Sequence, residues 1–517
     1  MKCKVCGADL PDGAKFCGNC SSPVEQSDGS APSEFAPESR ADDFPAGSGK
    51  KSFLSRLPVK PKTLAIGAGG VVVLVLVIVL LASLFKGGGS GNYVKRDQLP
   101  VVVQSDDDEV TYLSGKTEIK LDGELYTYDY SLDGKVTAAL VKEEDSGYSD
   151  PGTLYFISGG KSTQISDDVY SFSLADSGSA VAFITDRENS EGTLNYSTGG
   201  KGKAETIASE GVLSYVISTD GKTVGYTADY EDGDFTGYIW NGKKSEKLDK
   251  NASPNLISDG GKYIYYTKNS KLYVKSGKGD ALSLKEGSIT EYNSDGTEVI
   301  YSVSGTSYIS VNGKEGKKLR TDTSVLIPDG YSGVKSFKGV AVTYNDGDTL
   351  GYLNKKLDTP EKIDSSIKSP FLCKDGKTVL YIKKESVYRV NASKSGAKPV
   401  ELCDDDVYYF APSLDGKSFY YSTTDKDLKY QTGSKSAKGS IAELDSSSDF
   451  AVFYKTGDCF YIEDDELYVS KNGGKGTKVS KVSDDVYYVY ADSFWVYIDG
   501  DSAYISSDGK NFTEFDY

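Results

Sequence analysis

From residue 132 to the end of the chain one phrase keeps returning: a turn built on Asp-Gly or a close variant, then a short run of Val, Ile, Tyr and Phe. It reads LDGKVTAALV from 132, ADSGSAVAFI from 175, TDGKTVGYTA from 219, KDGKTVLYIK from 374 and LDGKSFYYS from 414. A second phrase trails it as strand, Gly-Lys turn, strand, in LYFISGGKSTQI from 154, YIWNGKKSEKL from 238 and LYVSKNGGKGTKV from 467. Asp-Gly supplies the positive-φ positions of a tight hairpin, and β-branched and aromatic residues suit a pleated, half-buried surface. The period of roughly 35 to 45 residues suits four short strands per unit, the length of a propeller blade. No stretch beyond residue 86 has helical periodicity of adequate length, so almost no helix is expected there. The 39 tyrosines fit blades packed face to face, where a large flat ring fills space and its hydroxyl still reaches a partner. The expected fold is mainly β, a β-propeller over residues 105–517, with a β-helix or stacked solenoid as the rival.

The repeat phrase and the LY-strand with its Gly-rich turn resemble the repeats of TolB-like propellers and related bacterial ectodomains of unknown function. The usual proline ahead of DGK is generally missing, as at Ser131-Leu132-Asp133 and Ser413-Leu414-Asp415. About ten units are expected, with a partial first one around Glu109 to Leu121, more than the usual ring of four to eight blades. Units near Phe337 to Ile363, 450 and 494 lack the DG turn. Either one ring is unusually large or two propellers divide near 320–335; one continuous array is the reading adopted.

Thr63 to Phe85, TLAIGAGGVVVLVLVIVLLASLF, carries no charge and at ~1.5 Å per residue covers a ~30 Å hydrocarbon core as a helix. It is expected to be a transmembrane helix. Lys50, Lys51, Arg56, Lys60 and Lys62 precede it, against Lys86, Lys95 and Arg96 after it, which by the positive-inside bias puts the N-terminus in the cytoplasm. The C-terminal domain is then extracytoplasmic, on a single-pass plasma-membrane protein. Residues 25–62 are a Ser, Pro and acid-rich linker with a basic juxtamembrane end, and 86–104 a Gly-rich spacer.

At the tip, Cys3-x2-Cys6 and Cys17-x2-Cys20 make a four-thiolate zinc signature over residues 1–24. Two such knuckles complete a closed tetrahedral site, so one structural Zn2+ is expected, with no open position for catalysis. The segment resembles the zinc ribbon found at the extreme N-terminus of many Gram-positive bacterial membrane proteins. That resemblance implies nucleic-acid or protein contacts. Lys2, Lys4 and Lys15 set against Asp9, Asp12 and Glu25 make a poor footprint for nucleic acid and favour a small module that docks a cytoplasmic protein, or a structural cap.

The chain contains no histidine, which excludes Ser-His-Asp and Cys-His catalysis and every His-ligated metal site. The part after the membrane run carries essentially the whole net charge of −17, an argument against polyanions as its main partner unless a local patch escapes the average. Cys373, Cys403 and Cys459 are too few and too scattered for a disulfide-stapled domain. Acidic clusters fall at Asp106 to Glu109, Asp167-Asp168, Asp404 to Asp406, Asp464 to Glu466 and Asp484-Asp485. Paired carboxylates could cleave glycosidic bonds, and such loops could hold Ca2+. Their recurrence at similar places in the repeat reads as loop punctuation. The expected function is therefore non-enzymatic recognition of a protein, peptide or cell-wall ligand, with a cell-envelope hydrolase or lyase as the alternative and no catalytic residue assigned.

Overall fold

The structure is a computed structural model that describes residues 90–516 apart from short gaps, the longer ones at 97–100, 105–108, 434–438, 454–456, 481–485 and 507–512. The ribbon cysteines, the linker and the expected membrane helix at 63–85 lie outside the described residues. The domain is mainly β. Among the described residues the only helical elements are two 3-10 turns, Ser90–Asn92 and Asp259–Gly261, and no helix is long and apolar enough to cross a membrane.

A three-stranded sheet, 101–122, comes first, where the partial unit was expected. Ten antiparallel sheets follow in chain order, denoted A (124–169), B (171–212), C (214–250), D (252–285), E (288–321), F (324–365), G (368–403), H (407–443), I (450–480) and J (486–516). In A to E and G to I, four consecutive strands pair each with the next. No sheet closes on itself.

Burial grades across the sheets. Second strands are deeply buried, as in Val136–Lys142 and Val340–Tyr344, while fourth strands such as Ser245–Lys250 and Lys317–Thr321 are mostly exposed. Neighbouring sheets pack through their second and third strands: Ala138, Leu140 and Phe156 of A meet Val181 and Phe183 of B. The cluster formed by Ile300 and Leu319 of E, Val342 and Leu350 of F and Val379 of G crosses 320–335 without a break, so the described core is continuous there.

The tyrosines fall into cross-strand pairs. Tyr266 and Tyr273, Tyr301 and Tyr308, Tyr381 and Tyr388, and Tyr461 and Tyr468 face each other across the second and third strands and stack at 5.4–5.8 Å. Several hydroxyls bridge to the next sheet. Tyr196 of B donates to the Gly221 carbonyl of C at 2.8 Å, and Tyr420 of H accepts from Gly473 N of I at 2.9 Å.

The DG turns share one hydrogen-bond plan. Ser131 N donates to Val136 O and Gly134 N to Ser131 O, both at 2.9 Å, while the Ser131 hydroxyl donates to Asp133 at 2.8 Å. Ser218 and Ser413 repeat the arrangement, and Cys373 stands at the same position in sheet G. Adjacent turns are tied by their backbones: Leu132 N to Asp176 O, Ser177 N to Thr219 O, Thr219 N to Ile257 O and Asp259 N to Asp295 O, at 2.8–3.1 Å.

Sheet F departs from this plan because its first strand leaves after Val325. The chain instead forms a separate strand, Tyr331–Val334, which pairs antiparallel with Tyr93–Lys95. The stretch read as a spacer thus contains a docked strap. Tyr93 is 1% exposed, joins the core of E, F and G, and packs edge-on to Tyr331 at 5.9 Å. Lys335 N donates to Asn92 O at 2.6 Å, Arg96 N to Gly330 O at 3.1 Å, and the Asn92 amide to Lys338 O at 2.7 Å.

Candidate functional site

Where the first strand of F leaves its sheet, it opens a groove of about 1170 Å³ between E, F and G. Val325, Leu326, Ile327 and Ile367 give it apolar surface, and Glu291, Asp322, Asp329, Asp346 and Asp348 set carboxylates around it, with Lys368 the one cation in the lining. Glu291 lies in the wall. Its carboxylate accepts from the Ser324 hydroxyl at 2.5 Å and from Val325 N at 3.2 Å, tying the first strand of E to that of F. Burial pushes its carboxyl up to about 7 despite those two bonds. A carboxyl in that range is half-protonated near neutrality, but both its oxygens are engaged in bracing the wall. Ile327 is 36% exposed.

First strands of neighbouring sheets approach one another and carry aromatics. The Ser171 hydroxyl lies 3.0 Å from that of Tyr215, and Tyr409 meets Phe450 edge-on at 5.1 Å. Tyr128, Tyr292, Tyr408 and Tyr409 leave large exposed rings on these strands.

Among the described residues the acidic clusters do not converge on the groove. Asp405 accepts from the Tyr421 hydroxyl at 2.9 Å and from Lys429 Nζ at 2.7 Å, and Asp364 accepts from Tyr381 at 2.6 Å and Lys383 at 2.5 Å. Each carboxylate thus pins a connection between sheets to the next sheet. Burial alone would raise both carboxyls, but the lysine and tyrosine bonds outweigh it and hold them below the usual range. Asp445 likewise accepts from Asp464 N and Asp465 N at 2.9–3.0 Å. Asp167 and Asp168 end the last strand of A. Asp106 to Asp108 and Asp484-Asp485 lie outside the described residues. Among the described residues no three His, Cys, Asp or Glu side chains are grouped to hold a metal ion, so Ca2+ finds no support there.

Cys373, Cys403 and Cys459 are buried free thiols. Burial pushes Cys373 up to about 12 and Cys459 well above its ordinary value, so neither is poised as a nucleophile. The sequence offered one partial signal for the groove: the unit whose first strand leaves is one of the three that lack a DG turn, although sheet I, which also lacks it, keeps its first strand.

The metal-ligand positions Cys3, Cys6, Cys17 and Cys20 lie outside the described residues, and the donor set is one that suits Zn2+: four thiolates in two C-x-x-C pairs. The zinc-ribbon family matches residues 2–24. The N-terminus is a zinc-ribbon domain. A comparison with curated protein sequences gives no match. Solved structures similar to the chain include a eukaryotic initiation factor, 12% identical, covering 65% of this chain and 94% of that one with a TM-score of 0.36. The tricorn protease is 12% identical, covering 82% and 58%, with a TM-score of 0.29. The GH74 enzyme of Niastella koreensis is 13% identical, covering 83% and 92%, with a TM-score of 0.28. Likeness at this level carries no argument about activity.

Proposed function

We propose that the chain is a membrane-anchored recognition protein of a Gram-positive-type bacterium, with its zinc ribbon in the cytoplasm and the β domain outside as a TolB-like propeller array. The propeller reading is supported by consecutive four-stranded meanders, by sheet-to-sheet packing through second and third strands, and by backbone bonds between successive DG turns. The anchor reading rests on the uncharged run at 63–85 and the lysines before it.

The single observation that carries recognition is the groove between E, F and G. It combines a large volume, apolar patches and one dominant sign of charge, the make-up of a site that receives a cationic, partly apolar segment such as a basic peptide stretch of a protein partner. The cytoplasmic ribbon supplies a docking module for a second protein. An envelope hydrolase remains the rival because of one observation, the high carboxyl of Glu291 among aspartates.

A photo-crosslinking residue in place of Ile327, in the full chain in its own membrane, tests this. The expected result is a discrete adduct at 327 that competes with a soluble basic peptide, and none from the same residue in place of Leu282 on the outer strand of D. Equal adducts at both positions, or none at 327, would overturn the recognition site. Release of envelope fragments that stops with Glu291→Gln would replace it with the enzyme.

A further inference from the structure

An antiparallel meander puts its first-to-second and third-to-fourth turns at one end of the sheet, and its second-to-third turn and the link to the next sheet at the other. Because the turns at this end are bonded side by side from A to F and between G and H, and the cores run on from F to G and from H to I, like ends of A to I lie together. The sequence loads these two ends with opposite charge. The first end receives the DGK turns and the Gly-Lys turns, with Lys135, Lys222, Lys244, Lys417 and Lys471 at 51–82% side-chain exposure. The second receives Glu188 and Glu191, Asp232, Asp346, Asp404 to Asp406, and Asp464 and Asp465, as well as the groove.

The acids at the first end are largely spent inside their turns. Asp220 accepts from the Ser218 hydroxyl, from Lys222 N and from Gly260 N at 2.9–3.3 Å. Lys222 and Lys417 also reach their own turn's aspartate at 2.9 and 2.8 Å, but exposed pairs of this kind hold weakly and exchange readily. The third-to-fourth turns add Lys243, Lys394, Lys398 and Lys475 from stretches that contain no acid of their own, NGKK, SKSGAK and NGGKG.

The strap enters at this same end. Ser294 N, in the DG turn of E, donates to Val334 O at 2.7 Å; Ser332 donates to the carbonyl of Leu132 in the DG turn of A; and Asn92 is tied to Lys335 and Lys338. From Phe85, the last residue of the uncharged run, to Ser90, where the described strap begins, the chain can span at most about 17 Å at ~3.4 Å per residue. We infer that the lysine end of the array lies flat on the anionic phospholipid headgroups of the membrane that anchors it, leaving the carboxylate end and its groove facing away. This rests on the anchor reading above. The acidic average of the domain concealed it, because the carboxylates outnumber the lysines in the sum.

The test uses the full chain in lipid nanodiscs, one set zwitterionic and one containing phosphatidylglycerol, treated with an amine-acetylating reagent and read lysine by lysine by mass spectrometry. Lys135, Lys222 and Lys417 are expected to label at least about threefold more slowly in the anionic discs, with the difference lost at high salt. Lys271, Lys384 and Lys426, at the other end, should label alike in both. Equal rates at Lys135, Lys222 and Lys417 in the two lipids, or protection of Lys384 and Lys426 instead, would overturn the orientation. Protection that appears only when a soluble wall polyanion is added would reassign the lysine end to that polymer. An alkaline wash separates the two readings: chain stripped from the discs sinks the anchor, whereas chain retained without protection sinks only the lysine-end contact.

Discussion

Glu291 answers two demands at once, bonding Ser324 and Val325 across two sheets and lining an acidic groove. Its folded-state carboxyl lies near 7, above the ordinary 4.5. The linked stability is therefore fully present below about pH 4.5 and lost as pH rises through 7. Glu291→Gln should be stabilising by about 1–2 kcal/mol at pH 8 and nearly neutral at pH 4.5; denaturant melts at the two pH values decide, and an equal effect at both would refute the assignment. Gly473 is a second point where one residue carries a junction. Its φ of +71° suits glycine, and a Cβ there would sit 2.3 Å from the Tyr430 ring. Gly473→Ala should cost about 2–4 kcal/mol, against about 1 for Gly433→Ala, where φ is +59° but the space is open. Equal shifts in melting temperature would contradict the packing argument. At this scale the DG turns were legible, since Asp-Gly is a local signal. The buried serine two positions before the aspartate was not: at Cys373 the same post is held by a different residue, which reads in isolation as a stray thiol.

Between elements, charge does local fastening. Asp364 ends the last strand of F and holds Tyr381 and Lys383 of G, with a carboxyl kept below its usual value. Asp364→Asn should destabilise the array by about 1–2 kcal/mol at pH 7, and the penalty should fade as pH drops through the folded-state value; a penalty that persists in acid would mean that packing rather than the bonds was lost. Asp364 stood outside the recurring acidic clusters, and the matching staple at Asp405 was visible only as one of them, because the partners lie one sheet away. The strap was hidden more thoroughly, since Tyr93 sits in a Gly-rich stretch that reads as linker and its partner strand is more than 200 residues distant. Tyr93→Ala should remove about 3 kcal/mol and open the stretch around 93 to protease; unchanged cleavage there would mean that the docking contributes nothing. The ribbon is a separate element. Stripping zinc with a strong chelator should unfold residues 2–24 and leave the melting of the β domain unchanged; loss of both together would show an energetic link between them.

The described β domain has two ends of opposite charge, a strap at one and a groove at the other. The four-strand period and the length of the array could be read from the sequence, because turn residues and strand residues recur in register. The groove and the sorting of charge could not, because both depend on which turns share an end, and that is set by the parity of strands rather than by composition. In the proposed arrangement the lysine end faces the membrane, a partner reaches the groove from outside, and the ribbon offers a second contact within. The measurement that bears most directly on this arrangement is labelling of intact cells with a membrane-impermeant amine reagent, read by mass spectrometry. Lys271, Lys384 and Lys426 should react in intact cells, and Lys2, Lys4 and Lys15 only after the membrane is opened. Reaction of both groups in intact cells, or of the ribbon lysines alone, would contradict a span that separates ribbon from array.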